Sequence, residues 1–189
     1  MGDAAAREVL VEAERRGWDG YAHVRPAHAA RAWVRYLRAS DDGLDRHLAH
    51  ALAADAGGRE PASEAAVRLL QALVAADRGH ARAARQALVA ADRALGRSAT
   101  PPVLADLWVR ATAAARLVDD GTGPALGARV ARERLGSAAV VAVCGARELL
   151  AAGRTGAAER AVAGLGLSVV LIGRCRRCAV WRWRWAPGR

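Results

Sequence analysis

The chain has 189 residues, 53% of them apolar, a net charge of +10 and no lysine. That length holds one domain or one short array, with enough apolar residues for a core. Without lysine there is neither a Walker-type phosphate loop nor a lysine Schiff base.

Phe is absent, Ile172 is the single isoleucine, and aromatic residues make up 4% of the chain. The core must therefore come from Ala, Leu and Val. Alanine is the strongest helix former, and strand-favouring residues are scarce before the C-terminus. The composition is also that of GC-rich coding DNA. It predicts an all-α fold.

In chain order, Asp3 to Arg16 reads as a helix capped by Asp3, with Val9, Leu10 and Ala13 on one face and Gly17 ending it. No basic and then apolar leader precedes it, so no signal peptide is read and a cytoplasmic location is expected. Trp18 to Pro26 reads as a loop. Pro26 suits the first turn of a helix near His28 to Ala39, whose stripe is Ala30, Trp33 and Leu37. Its partner carries Leu44, Leu48, Ala51 and Leu52. Asp55 to Pro61 breaks the chain.

A second hairpin starts near Ser63, a candidate cap. Val67, Leu70, Leu73 and Val74 line its first helix, and Ala84, Leu88, Ala91 and Leu95 line its second. A third pairs Val103–Val118 with Ala125–Leu135, and a fourth pairs Ser137–Ala152 with Ala157–Leu165.

The turns are Ala39-Ser40-Asp41-Asp42-Gly43, Ala76-Asp77-Arg78-Gly79, Val118-Asp119-Asp120-Gly121 and Ala152-Gly153-Arg154-Thr155-Gly156. They recur roughly every 40 residues, the period of stacked helical hairpins. Each hairpin leaves an apolar face that only a neighbour can cover. About nine helices, arranged as a tetratricopeptide-like α-solenoid over residues 1–166, are expected.

From Leu167 the texture changes. Ser168-Val169-Val170-Leu171-Ile172 looks strand-like, and Trp181-Arg182-Trp183-Arg184-Trp185 alternates with period two. Six of the ten net charges fall in residues 165–189, so the body is only mildly basic. The segment 167–189 is expected to be poorly ordered. It reads either as sequence without selected structure or as a binding tail. In a binding tail, Arg176, Arg177, Arg182 and Arg184 would neutralise phosphates, and Trp181, Trp183 and Trp185 would stack on bases or sit at a membrane interface.

Three stretches carry a family resemblance. Leu69 to Leu95 is tetratricopeptide-like: a helix, a small turn with Gly79, then a helix with alanine at the close contacts. Ala146 to Leu165 has the same shape. Gly17-Trp18 followed by Arg31 to Leu37 looks like the start of a preceding unit. Together they resemble the helical-repeat region of large ATP-binding LuxR-family regulators of the MalT type, common in actinobacteria. The resemblance covers roughly residues 8–165. It implies a sensor and scaffold segment that binds a peptide, a partner protein or a small inducer, and that controls oligomerisation. The family's phosphate-binding loop is missing, and the Trp/Arg tail stands where its helix-turn-helix would be.

Site chemistry is sparse. Cys175 and Cys178 have the spacing of half a zinc site or of a redox pair, but no second pair exists and Cys144 sits in an apolar helix, so unpaired tail cysteines are the plainer reading. His47 and His50 lie one turn apart and would need His80 to make a metal site; solvated or capping histidines are the plainer reading. His23 and His28 bracket the loop and helix start around Pro26. Asp119-Asp120-Gly121 lacks the later ligands of a calcium loop and reads as a turn.

No nucleophile–base set or carboxylate pair is placed together, so no enzyme, no cofactor and no metal are expected. The candidate ligand contacts are Arg31, Arg35, Arg38, Arg68, Arg110 and Arg147, all on the first helices of successive hairpins. Expected partners are a protein or peptide, a small inducer, nucleic acid through the tail, or a second copy of the chain. No transmembrane segment is read.

Overall fold

The computed structural model describes residues 3–18, 21–53, 60–118 and 128–165. Among them the chain is all-α, with no strand and nine α-helices. These are α1 (Asp3–Arg16), α2 (Arg25–Leu37), α3 (Leu44–Ala53), α4 (Pro61–Asp77), α5 (Ala81–Leu95), α6 (Pro102–Val118), α7 (Ala128–Glu133), α8 (Ala138–Ala151) and α9 (Thr155–Ala163). A short 3-10 turn, Ala22–Val24, leads into α2.

Backbone capping explains where the helices stop. At the end of α4, the Gly79 amide donates to Ala76 and the His80 amide donates to Ala75. Gly79 has φ +76°. This pair of bonds, with a left-handed residue between helix and turn, is the Schellman motif. It recurs after α8, where Gly153 donates to Leu150 and Arg154 to Leu149. After α2 the same bonds form, Ala39 to Tyr36 and Ser40 to Arg35, but the left-handed position holds Ala39, at φ 52°.

Consecutive helices joined by these turns fold back on each other, so α2–α3, α4–α5 and α8–α9 are hairpins, with α1 against α2. Alternate helices also pack: α2 on α4, α4 on α6, and α6 on α8. Side chains fix the direction of two of these contacts. Asp106 near the start of α6 accepts from the Ser137 amide at the start of α8, at 2.7 Å. Arg116 near the end of α6 pairs with Glu148 near the end of α8, at 3.8 Å. Thus α6 and α8 run parallel. Arg78, just past α4, reaches Asp45 at 2.8 Å and Asp41 at 3.2 Å, just past α2, so these helices also end together. This packing order is compatible with a solenoid of hairpins.

The main core sits among α4, α5 and α6. Leu69, Ala72, Leu73 and Ala76 meet Ala84, Leu88, Ala91 and Leu95, with Leu104, Trp108, Ala111 and Ala115 beyond. Alanine at these contacts lets the helix backbones approach closely. A second cluster joins Ala32, Leu44, Leu48 and Ala51 to Val67, Leu70 and Val74; Trp33 and Tyr36 touch both. The terminal hairpin buries Ala146, Ala158 and Val162. The α4 and α5 stripes thus fall where their periodicity predicts.

Several details differ from expectation. In α2 the buried stripe is Ala32 with Trp33 and Tyr36 partly covered, while Leu37 is 68% exposed, because it is the last helical residue and overhangs the turn. In α1 the buried residues are Ala6 and Ala13, and Val9 points outward. The α4 helix starts two residues before Ser63. Pro61 sits in its first turn, pre-set at a helical φ, and Ser63 Oγ donates to Glu60 instead of capping. Ser137, by contrast, caps α8 by accepting from the Val140 amide. The Asp119-Asp120-Gly121 turn and the whole segment 167–189 lie outside the described residues.

Candidate functional site

The helices α2, α4, α6 and α8 carry predicted arginines; α2, α4 and α8 open hairpins, while the expected hairpin of α6 with α7 is not among the main helix contacts of the described residues. Arg35 on α2 is already engaged: its Nη1 donates to Asp42 at 3.1 Å and to Ser40 Oγ at 3.3 Å. Arg68 on α4 lies 3.6 Å from Glu64 and donates to Gln71 at 3.3 Å. Arg38 is exposed at the C-cap of α2, and Arg110 is exposed on α6. Arg147 is half-buried on α8, which packs on α6. Burial pushes the Cys144 thiol above its ordinary value, and the positive charges of Arg147 and then Arg110 oppose that shift. Arg110 and Arg147 thus both act on Cys144, and Arg31 and Arg35 on α2 both act on His47 with positive charge. The tail candidates Arg176, Arg177, Trp181, Arg182, Trp183, Arg184 and Trp185, with Cys175 and Cys178, lie outside the described residues.

The histidines are arranged otherwise than their spacing suggested. His47 is not solvated: it is 6% exposed, and its Nδ1 lies 3.1 Å from Nδ1 of His28, itself 5% exposed. His50 stacks on His28, with ring centroids 4.6 Å apart and planes 11° from parallel. The partner of His47 and His50 is thus His28 on α2, while His80 is exposed at the N-cap of α5. His28 is an interior residue of the hairpin, more than the helix start its sequence context implied. Imidazole lone pairs lie in the ring plane, so two facing Nδ1 atoms and a stacked third ring converge on no shared point. Among the described residues, no group of three or more His, Cys, Asp or Glu is arranged to hold a metal ion.

Sequence reasoning also missed Arg129 on α7. Its side chain is 4% exposed. Nε donates to Asp92 at 2.5 Å, Nη1 to Glu133 at 2.8 Å and to the Ser98 carbonyl at 2.9 Å, and Nη2 to the Gly96 carbonyl at 2.6 Å. The guanidinium also lies 5.3 Å from the Trp108 ring centroid. Burial raises the Glu133 carboxyl, but hydrogen bonding from Thr100 and the charges of Arg129 and Arg132 outweigh it and hold the group below its ordinary value. This network ties α7 to the end of α5. It is fully occupied by protein groups and reads as structural.

No helix among the described residues is long and apolar enough to cross a membrane. Comparison with family models, with curated proteins and with solved structures finds no match to this chain.

Proposed function

We propose that this chain is a helical-repeat interaction module, a binding rather than a catalytic protein, that holds an acidic peptide, partner protein or small anionic inducer along its row of first helices. What supports this reading is one arrangement: α2, α4, α6 and α8 pack side by side in chain order, and each brings arginine to the row. Arg110 and Arg147, on the adjacent helices α6 and α8, are the strongest contacts in the proposal, since a carboxylate between them would gain two charge-assisted donors. Arg31, Arg35, Arg38 and Arg68 extend the row toward α2. The resemblance to the sensor segment of MalT-type regulators supplies a biological setting for such a groove in the same proposal.

The test is binding of a fluorescent poly-glutamate peptide to the full chain, against the double variant Arg110→Glu/Arg147→Glu. Two opposed charges should weaken binding by at least about tenfold and flatten its salt dependence. Unchanged affinity in the double variant would overturn the groove reading. If affinity instead collapses on removal of residues 167–189, binding belongs to the Arg/Trp tail, and the protein is a nucleic-acid- or membrane-surface binder acting through it.

A further inference from the structure

The row of first helices takes up only part of the chain's arginine, and the buried Arg129 gathers a second set elsewhere. Its guanidinium holds Asp92 and the Gly96 and Ser98 carbonyls at the end of α5, and Glu133 on α7. The end of α5 and α7 therefore lie within the reach of one arginine side chain, although Asp92 and Arg129 are 37 positions apart. Arg93 and Arg97 flank the residues held on the α5 side, and Arg132 and Arg134 flank Glu133. All four are exposed. Arg132 lies 3.6 Å from Glu133 and still keeps 62% of its side chain in solvent.

The acids beside this cluster already have protein donors. Asp92 and Glu133 accept from Arg129, and Glu133 also accepts from the Thr100 amide. Asp106 accepts from the Ser137 amide and hydroxyl at the start of α8. Among the described residues, five arginines thus face these three acids. The exposed positions between the arginines are small: Gly96, Ser98, Ala99 and Ala131. A phosphodiester chain can come close to such a surface, and guanidinium groups match its oxygens two at a time. Trp108, the ring beside Arg129, is 3% exposed, and the exposed rings Trp18 and Tyr21 belong to the α1–α2 connection. The cluster therefore offers bases no ring to stack on, which favours a duplex backbone over a single strand.

Arg134 adds an independent sign. The Leu135 amide donates to Val130 at 3.1 Å, and this closure of α7 leaves Arg134 left-handed, at φ 49°. Glycine holds that place after α4 and α8 and is less strained there. An arginine at this position weakens the fold while adding charge to the exposed cluster. We infer that the surface formed by the end of α5 and by α7 is a second binding face, which docks the sugar-phosphate backbone of a duplex nucleic acid without reading its bases. It lies outside the row of first helices and takes a different ligand.

The test is fluorescence anisotropy of a short labelled DNA duplex with the full chain over a range of salt. The cluster variant is Arg97→Gln/Arg134→Gly. The control, Arg7→Gln/Arg46→Gln, removes the same charge from exposed positions on α1 and α3. Residues 167–189 are unchanged in every protein, so the differences report the substituted positions. Each phosphate contact contributes about 0.9 to the slope of log affinity against log salt, so the cluster variant should bind with a slope shallower by about 2 and, at about 0.1 M salt, more weakly by over about tenfold. The control should change far less. Arg134→Gly alone should raise the urea midpoint, because it relieves a left-handed side-chain residue, while weakening binding. If the cluster variant does not fold, Arg132→Gln alone decides, with an expected slope change of about 1. Equal losses in the cluster and control variants, an unchanged slope, or a lower urea midpoint in Arg134→Gly would overturn the assignment. So would losses confined to phosphatidylserine vesicles, which would make this face a lipid contact.

Discussion

Replacing Arg129 by methionine removes the guanidinium but keeps most of the volume of the stem, so the loss is electrostatic rather than a cavity. Asp92 is 54% exposed and rehydrates at little cost. The Gly96 and Ser98 carbonyls lose their donor, at about 1 kcal/mol each. Glu133, 21% exposed, keeps the Thr100 amide at 2.8 Å but loses its buried cation, for a further 1–2 kcal/mol or so. The contact with Trp108 adds about 0.5–1 kcal/mol. The total, about 3–5 kcal/mol, matches the usual cost of removing one partner of a buried ion pair. For a chain of this size that lowers Tm by roughly 10 °C. Urea and thermal unfolding followed by circular dichroism measure it. A double cycle with Glu133→Gln should show coupling above about 1 kcal/mol. A loss under about 1 kcal/mol, or full additivity with Glu133→Gln, would refute the argument that Arg129 ties α7 to the end of α5.

Ala39 holds the left-handed position that glycine fills after α4 and α8, so Ala39→Gly should stabilise the chain by about 1 kcal/mol, read as a raised urea midpoint. Gly136 has φ +95°, and a Cβ there would lie 2.6 Å from Val109 Cγ2; Gly136→Ala should therefore cost about 2–3 kcal/mol in the same assay. The Glu133 carboxyl is held below its ordinary value, so its contribution is present above that value and lost as pH falls through the folded one. Glu133→Gln should flatten the stability profile below about pH 4.5, and an unchanged profile in unfolding curves would contradict the network.

The parts of the fold that were legible in the sequence are those that residue type decides locally. The α5 stripe of Ala84, Leu88, Ala91 and Leu95 and the turns at Gly79 and Gly153 follow from helical period and from the left-handed freedom of glycine. Two of the misread positions lie at helix ends, where register no longer determines burial: Leu37 overhangs α2, and Ser63 gives way to Pro61. Long-range chemistry was hidden for a different reason. Arg129 meets Asp92 across 37 positions and His28 meets His47 across 19. Nothing in the spacing of either pair points to the other member; the folding back of α3 on α2 joins the histidines, and the return of α7 to the end of α5, past α6, joins Arg129 to Asp92. The histidines had one usable signal, three imidazoles within a single predicted hairpin. The arginine row could be placed on its helices from sequence, but not the prior engagement of Arg35 by Asp42 in the following loop and of Arg68 by Glu64 one turn before it.

A binding row of this kind exists only if the first helices lie side by side in chain order. Pulsed electron–electron spin-resonance distances test this directly, with labels on cysteines placed at Leu37, Arg116 and Ala152, near the ends of α2, α6 and α8, in a background where Cys144, Cys175 and Cys178 are serine. With neighbouring helix axes about 8–10 Å apart, Leu37 to Arg116 spans two steps and Leu37 to Ala152 spans three. The second distance should exceed the first by roughly one helix spacing. Equal distances, or a shorter separation between Leu37 and Ala152, would mean that the helices close into a globule and that no such row exists.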